Sequence, residues 1–171
     1  FCLSSSATFG ATLDKFEILG NDRISNDTIK IFTGKKIGDD LKDIDLNKIL
    51  KNLYNTNFFS DVSINFSNNT LKITVKENQI IQSIKFDGIK KKSLIESLEE
   101  QLDIKKNSPY VEFLVKKNRD KILNSLRSSG YFFSSIDLYT QVNTDNTVSI
   151  TFDINLGEKA LVNKISFTGD K

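Results

Sequence analysis

The sequence has 171 residues with 24 basic and 22 acidic side chains, a net charge of +2, a lone Cys at position 2, and no His, Trp or Met. Those absences exclude a Cys/His metal centre, a His-dependent triad and an internal disulfide within this chain, and the near-balanced charge gives no bulk drive toward nucleic acid or an anionic membrane. A hydrophobic content of 38%, including 13 Phe, supports packed cores in one or two small domains, and no run of 18 apolar residues is present.

Residues 1–12 begin "FCLSSSATFGA", a stretch of small and weakly apolar residues without charge. They read as a flexible segment or as the tail of a signal peptide with Ser5-Ser6-Ala7 as a small-x-small site. The lack of any Met points to a processed product or a piece of a longer protein.

A repeated unit then begins, 13–78 in its first copy. Phe16 and Ile18 alternate and lead into Gly20, the pattern of a short strand entering a turn. Ser25 is placed to cap a helix, with Ile24 and Ile29 as a hydrophobic staple. Leu46, Ile49, Leu50, Leu53 and Tyr54 form the apolar face of a second helix, which Asn57 is suited to end in the left-handed region. Phe58 and Phe59 follow at the change from helical to strand period. Val62/Ile64/Phe66 and Leu71/Ile73/Val75 alternate on two strands joined by a turn at Ser67-Asn68-Asn69.

The second copy, 79–157, repeats the order. Ile84 and Phe86 lead into Gly88, and Ser93 with Glu96 forms the pattern of a capping box. Pro109 is placed to open a second helix, continued by Val111, Leu114, Val115, Ile122 and Leu126, with Asn118 and Arg119 interrupting the stripe. "LRSSGYFFSSIDL" aligns with "LYNTNFFSDVSI", setting Gly130 opposite Asn57 and Phe132 opposite Phe59. Ile136/Leu138 and Val148/Ile150/Phe152/Ile154 supply the last two strands. Residues 158–171 hold Ile165, Phe167 and Gly169, the first strand of a third copy, and point to a chain that continues.

Each unit is thus expected to be β-α-α-β-β, an α+β fold. A three-stranded mixed sheet is covered on one face by two antiparallel helices and wet on the other. Phe59, Phe132, Gly20 and Gly88 are expected to be structural core markers. No catalytic constellation emerges. Asp39/Asp40 and Glu99/Glu100 read as solvated surface, and Gly34-Lys35-Lys36-Ile37-Gly38 lacks the spacing of a phosphate loop. The order of elements is similar to that of the KH module of RNA-binding proteins. The Gly-x-x-Gly that such a module needs between its helices is missing, and the lysine runs are scattered among acids.

A sheet edge is the better candidate site. If the third strand pairs with both others, the second strand of each unit is left free to accept an extended peptide. Those edges comprise Asp61, Val62, Ser63, Ile64, Asn65 and Phe66 in the first unit, and Ser135, Ile136, Asp137, Leu138, Tyr139 and Thr140 in the second. On this reading, proline at Ser63 or Asp137 would weaken peptide binding without unfolding the unit.

The motifs "LYNTNFFSDVSI…TLKITVKEN", "IKFDGIKK" and "LGEKALVNKISFTGDK" together resemble the tandem POTRA domains of outer-membrane barrel-assembly proteins, over about residues 13–171. The resemblance implies a non-enzymatic periplasmic array anchored by a C-terminal β-barrel beyond this sequence, with no metal and no cofactor. It implies as partners unfolded outer-membrane β-barrel proteins, periplasmic chaperones and accessory lipoproteins, and no nucleic acid. Within the resemblance, the alternative is the POTRA region of a two-partner secretion transporter or of a plastid import channel.

Overall fold

The computed structural model describes residues 11–158, so the expected strand near Ile165 and the leading segment through position 10 lie outside the described residues. The chain divides into two compact units at Asn78/Gln79.

In the first unit the short strand β1 (Ala11–Thr12) precedes β2 (Lys15–Leu19), α1 (Asn26–Thr33), the short β3 (Asp40–Leu41), α2 (Asp43–Asn55), β4 (Phe59–Ser67) and β5 (Thr70–Glu77). The sheet order is β2-β5-β4, with β2 parallel and β4 antiparallel to the central β5. Alternation places Leu71, Ile73 and Val75 on the inner face, where they pack with Ile29, Ile49, Leu53, Phe59 and Val62. Ser25 caps α1 as its position suggests, its Oγ accepting the Thr28 N–H at 3.2 Å. Asn68 and Asn69, with φ of 49° and 58°, form the two-residue β4–β5 turn.

The second unit runs β6 (Ile80–Asp87), α3 (Lys92–Glu100), α4 (Glu112–Ser128), β7 (Ser135–Val142) and β8 (Thr147–Asn155), with sheet order β6-β8-β7 and the same mixed pairing. Its core gathers Ile81, Leu98, Val115, Ile122, Leu126, Val148, Ile150, Phe152 and Ile154, with the Phe86 and Phe152 rings stacked 5.5 Å apart.

Two helix starts in this unit differ from the sequence expectation. Lys91, not Ser93, is the N-cap of α3, and no side chain caps it. Only three positions separate Gly88 from this cap, against five between Gly20 and Ser25, so the helix begins before the serine is reached. Pro109 does not open α4; it lies across from Ile80 in a β-bridge, and the helix starts at Glu112. The neighbouring bonds explain its tolerance there. Tyr110 N–H donates to the Gln79 carbonyl (2.7 Å) and Ile81 N–H to that of Ser108 (2.9 Å), which leaves the proline nitrogen on the side that needs no donor.

Asn118 is a part of the core stripe, not a gap in it. It is 1% exposed, its Oδ1 accepts the Asp103 N–H and its Nδ2 donates to the Leu114 carbonyl, both at 2.8 Å. A buried amide satisfied in this way ties α4 to the segment after α3.

Candidate functional site: two free sheet edges

The strand order makes β4 and β7 edge strands, so the residues from Asp61 to Phe66 and from Ser135 to Thr140 all lie on sheet edges. The first strand of each unit is also an edge, which the sequence reading had not singled out. Its leading end is covered from within. Leu13 N–H donates to the Asp39 carbonyl and Gly38 N–H to the Leu13 carbonyl, while β1 pairs with β3. The second unit does the same with Ile81 N–H on Ser108 and Asn107 N–H on Ile81. The loop between the helices therefore forms a ribbon with the first strand in both units, a built-in protection of that edge. The start of β2, at Lys15 and Phe16, borders an open groove of about 810 Å³ between the strand, α1 and the loop after it, lined also by Ile31 and Ile37 with Lys30 and Lys35.

Which backbone groups face outward follows from register and turn. The β4–β5 turn has both central residues left-handed, so Ser67 and Thr70 form a hydrogen-bonded pair. Alternation makes Asn65–Lys72, Ser63–Thr74 and Asp61–Lys76 hydrogen-bonded pairs too, while Val62, Ile64 and Phe66 turn their N–H and C=O groups to the open side. In the second unit Asn143 N–H donates to the Thr147 carbonyl at 2.8 Å. By the same alternation Gln141, Tyr139, Asp137 and Ser135 face β8, and Ile136, Leu138, Thr140 and Val142 face outward. Ser63 and Asp137 thus donate into the ladder. Proline at either would break the sheet, and the expectation that it would leave the unit folded is corrected.

Side chains on the two edges are polar on the wet face, at Ser63 and Asn65 and at Asp137, Tyr139 and Gln141. On the helix face they are apolar, at Val62, Ile64 and Phe66 and at Ile136 and Leu138.

The four expected core markers divide. Gly20 and Gly88 have φ of 82° and 80°, and a Cβ on either would lie 2.1 Å from the Val75 carbonyl oxygen or 2.0 Å from that of Ile154. Phe59 is 3% exposed and belongs to the first core, but Phe132 is 59% exposed and does not belong to the second. β4 begins two positions after Asn57, whereas β7 begins five after Gly130. The added residues form a turn in which Ser134 N–H donates to the Tyr131 carbonyl (3.2 Å), and it swings Phe132 and Phe133 outward while Tyr131 packs on the core.

Glu77, within the "VKEN" motif, has a side chain only 7% exposed and gathers the loop after β2. Its Oε1 accepts the N–H groups of Asp22, Arg23 and Ile24 at 2.9, 3.0 and 2.9 Å, and Oε2 meets Arg23 Nε at 3.2 Å. Burial alone would raise the carboxyl's pKa, but these donors outweigh it and hold the group below its ordinary value. Among the described residues, no cluster of three His, Cys, Asp or Glu is placed to hold a metal ion, and no helix is long and apolar enough to cross a membrane.

The class this chain is similar to is the POTRA domain. Residues 79–157 match the family model described as POTRA, surface antigen variable number repeat, and the first unit repeats the same topology. Over 97% of its length the chain is 22% identical to the outer membrane protein assembly factor BamA of Neorickettsia risticii, of which it spans 22%. The fold is that of the N-terminal domain of Omp85 from Thermosynechococcus elongatus, with a TM-score of 0.54 and 14% identity over 85% of this chain and 63% of that one. POTRA3-5 of Haemophilus influenzae BamA aligns at a TM-score of 0.48 and 16% identity, covering 94% of this chain and 72% of the other.

Proposed function

We propose that this chain is a non-catalytic periplasmic module of an outer-membrane protein assembly machine, and that it receives unfolded β-barrel segments by strand addition at β4 and β7. Periplasmic chaperones and accessory lipoproteins of such a machine are its proposed further partners, and a β-barrel beyond this sequence is its proposed anchor. The observation that carries the reading is the pair of sheet edges with apolar residues on one face, polar residues on the other, and backbone donors directed outward. Backbone pairing is indifferent to side-chain identity, which suits a receiver of many different clients.

A nucleic-acid module would need free backbone N–H groups in the loop between the helices. Here Gly38 and Asn107 commit theirs to the first strand, which favours the strand-addition reading.

Thr140 is the position for a test, because its side chain is exposed and its N–H faces away from β8. Thr140→Pro is expected to leave the second unit folded and to weaken binding of an extended alternating peptide by about fivefold or more, the loss of about one hydrogen bond. Asp137→Pro is expected to unfold that unit. Unchanged peptide affinity in a folded Thr140→Pro variant would remove β7 as the receiving edge.

A further inference from the structure

The two edges are not equally open. On β4 the first outward donor after the bulge at Phe59/Asp61 is the Val62 N–H, and Tyr54 Oη already accepts it at 3.1 Å. The hydroxyl donates in turn toward Asp61 Oδ1 at 3.4 Å. Tyr54 lies in the last turn of α2 and is 40% exposed, so its ring reaches from the helix to the sheet edge and ends on a backbone group. The donors left on β4 are those of Ile64 and Phe66. On β7 Arg127 stands where Tyr54 stands in the first unit. Among the described residues neither Arg127 nor any other side chain bonds the outward N–H groups of Ile136, Leu138, Thr140 or Val142.

We propose that Tyr54 is a lock on the leading end of β4, which directs strand addition to β7. This rests on the strand-addition reading and adds a residue that selects between the edges. The occupant of β7 is an extended segment with apolar residues at every second position. Ile136 and Leu138 continue the helix-side face, where Val142 stands 62% exposed past the helix layer, and the other face is polar at Asp137, Tyr139 and Gln141. A segment of period 2 extends both faces at once, whereas a helical or uniformly charged one leaves Val142 uncovered or its own charges against apolar neighbours.

Amide hydrogen exchange on the whole chain tests the lock. The probe is a peptide of about eight residues alternating Val and Thr with Lys at each end, a typical strand length. On the unmodified chain the peptide is expected to slow exchange at Leu138, Thr140 and Val142, with little change at Val62 and Ile64. Tyr54→Phe is expected to speed Val62 exchange by about fivefold without peptide, the loss of about one net hydrogen bond, and to add peptide protection along β4. Thr140→Pro serves as the second variant and should weaken the β7 protection alone, by about the same fivefold. Equal protection of both edges on the unmodified chain, or Val62 exchange unaltered by Tyr54→Phe, overturns the lock and leaves strand addition standing. Protection at neither edge overturns both.

Discussion

Gly20 and Gly88 stand at the same point of two units that share little else in sequence around them, and the same physics requires both. Each leaves the first strand with positive φ, and each sits where a carbonyl of the third strand closes off the space for a Cβ. A single methyl would meet backbone, which cannot rotate away, so Gly20→Ala or Gly88→Ala is expected to destabilise its unit by about 2 kcal/mol or more. A urea titration followed by amide signals of the affected unit measures it. The aromatic pair at the helix-to-strand change shows the opposite case, in which similar sequence has different surroundings. Phe59→Ala should cost about 3–5 kcal/mol, as expected for a large core truncation. Phe132→Ala should stay within about 0.5 kcal/mol, as for an exposed site. Equal losses in the two would contradict the burial difference.

At the scale of elements, alternation and helical period made the order β-α-α-β-β legible, because both are local properties of the chain. What they could not carry is the partner of each backbone group. The loop between the helices reads as polar coil, yet it is held as a ribbon by bonds from Leu13 to Asp39 and from Ile81 to Ser108, contacts of about 26 residues' separation. Asn118 likewise breaks an apolar stripe in sequence and completes a core in space, since its partner Asp103 belongs to another segment. The edge strands show the same division. That β4 and β7 lie at edges follows from the pairing of the third strand. The direction of any one N–H depends on the parity set by the turn, which is why Thr140 and not Asp137 is the position where proline should spare the fold.

For the molecule as a whole, the two units carry separate cores and differ in what fixes the turn after the first strand. In the first unit the Glu77 carboxylate holds it; at the matching position of the second, Leu156 packs against the core. A carboxyl held below its ordinary pKa when folded contributes stability that is present above its unfolded value, near 4.5, and is lost as pH falls through the folded value. The unfolded chain binds the proton first on acidification, so stability of the first unit should decline below about pH 4.5. Glu77→Gln should flatten the Glu77 part of that decline and lower stability at neutral pH. Thermal melts of the unmodified chain and of Glu77→Gln between neutral and acidic pH, read on first-unit signals, check the sign.

The sequence by itself determined the repeat, the element order, the sheet with one apolar face and the glycines at the strand ends. Each of these is encoded by period or by a residue with singular backbone freedom. Only the tertiary structure decided that Phe132 faces solvent, that Asn118 is core, that the first-strand edge is half covered and that Tyr54 occupies a donor on β4. Each of those depends on the three-dimensional placement of a partner or of an added turn, and no pattern confined to neighbouring residues carries that information.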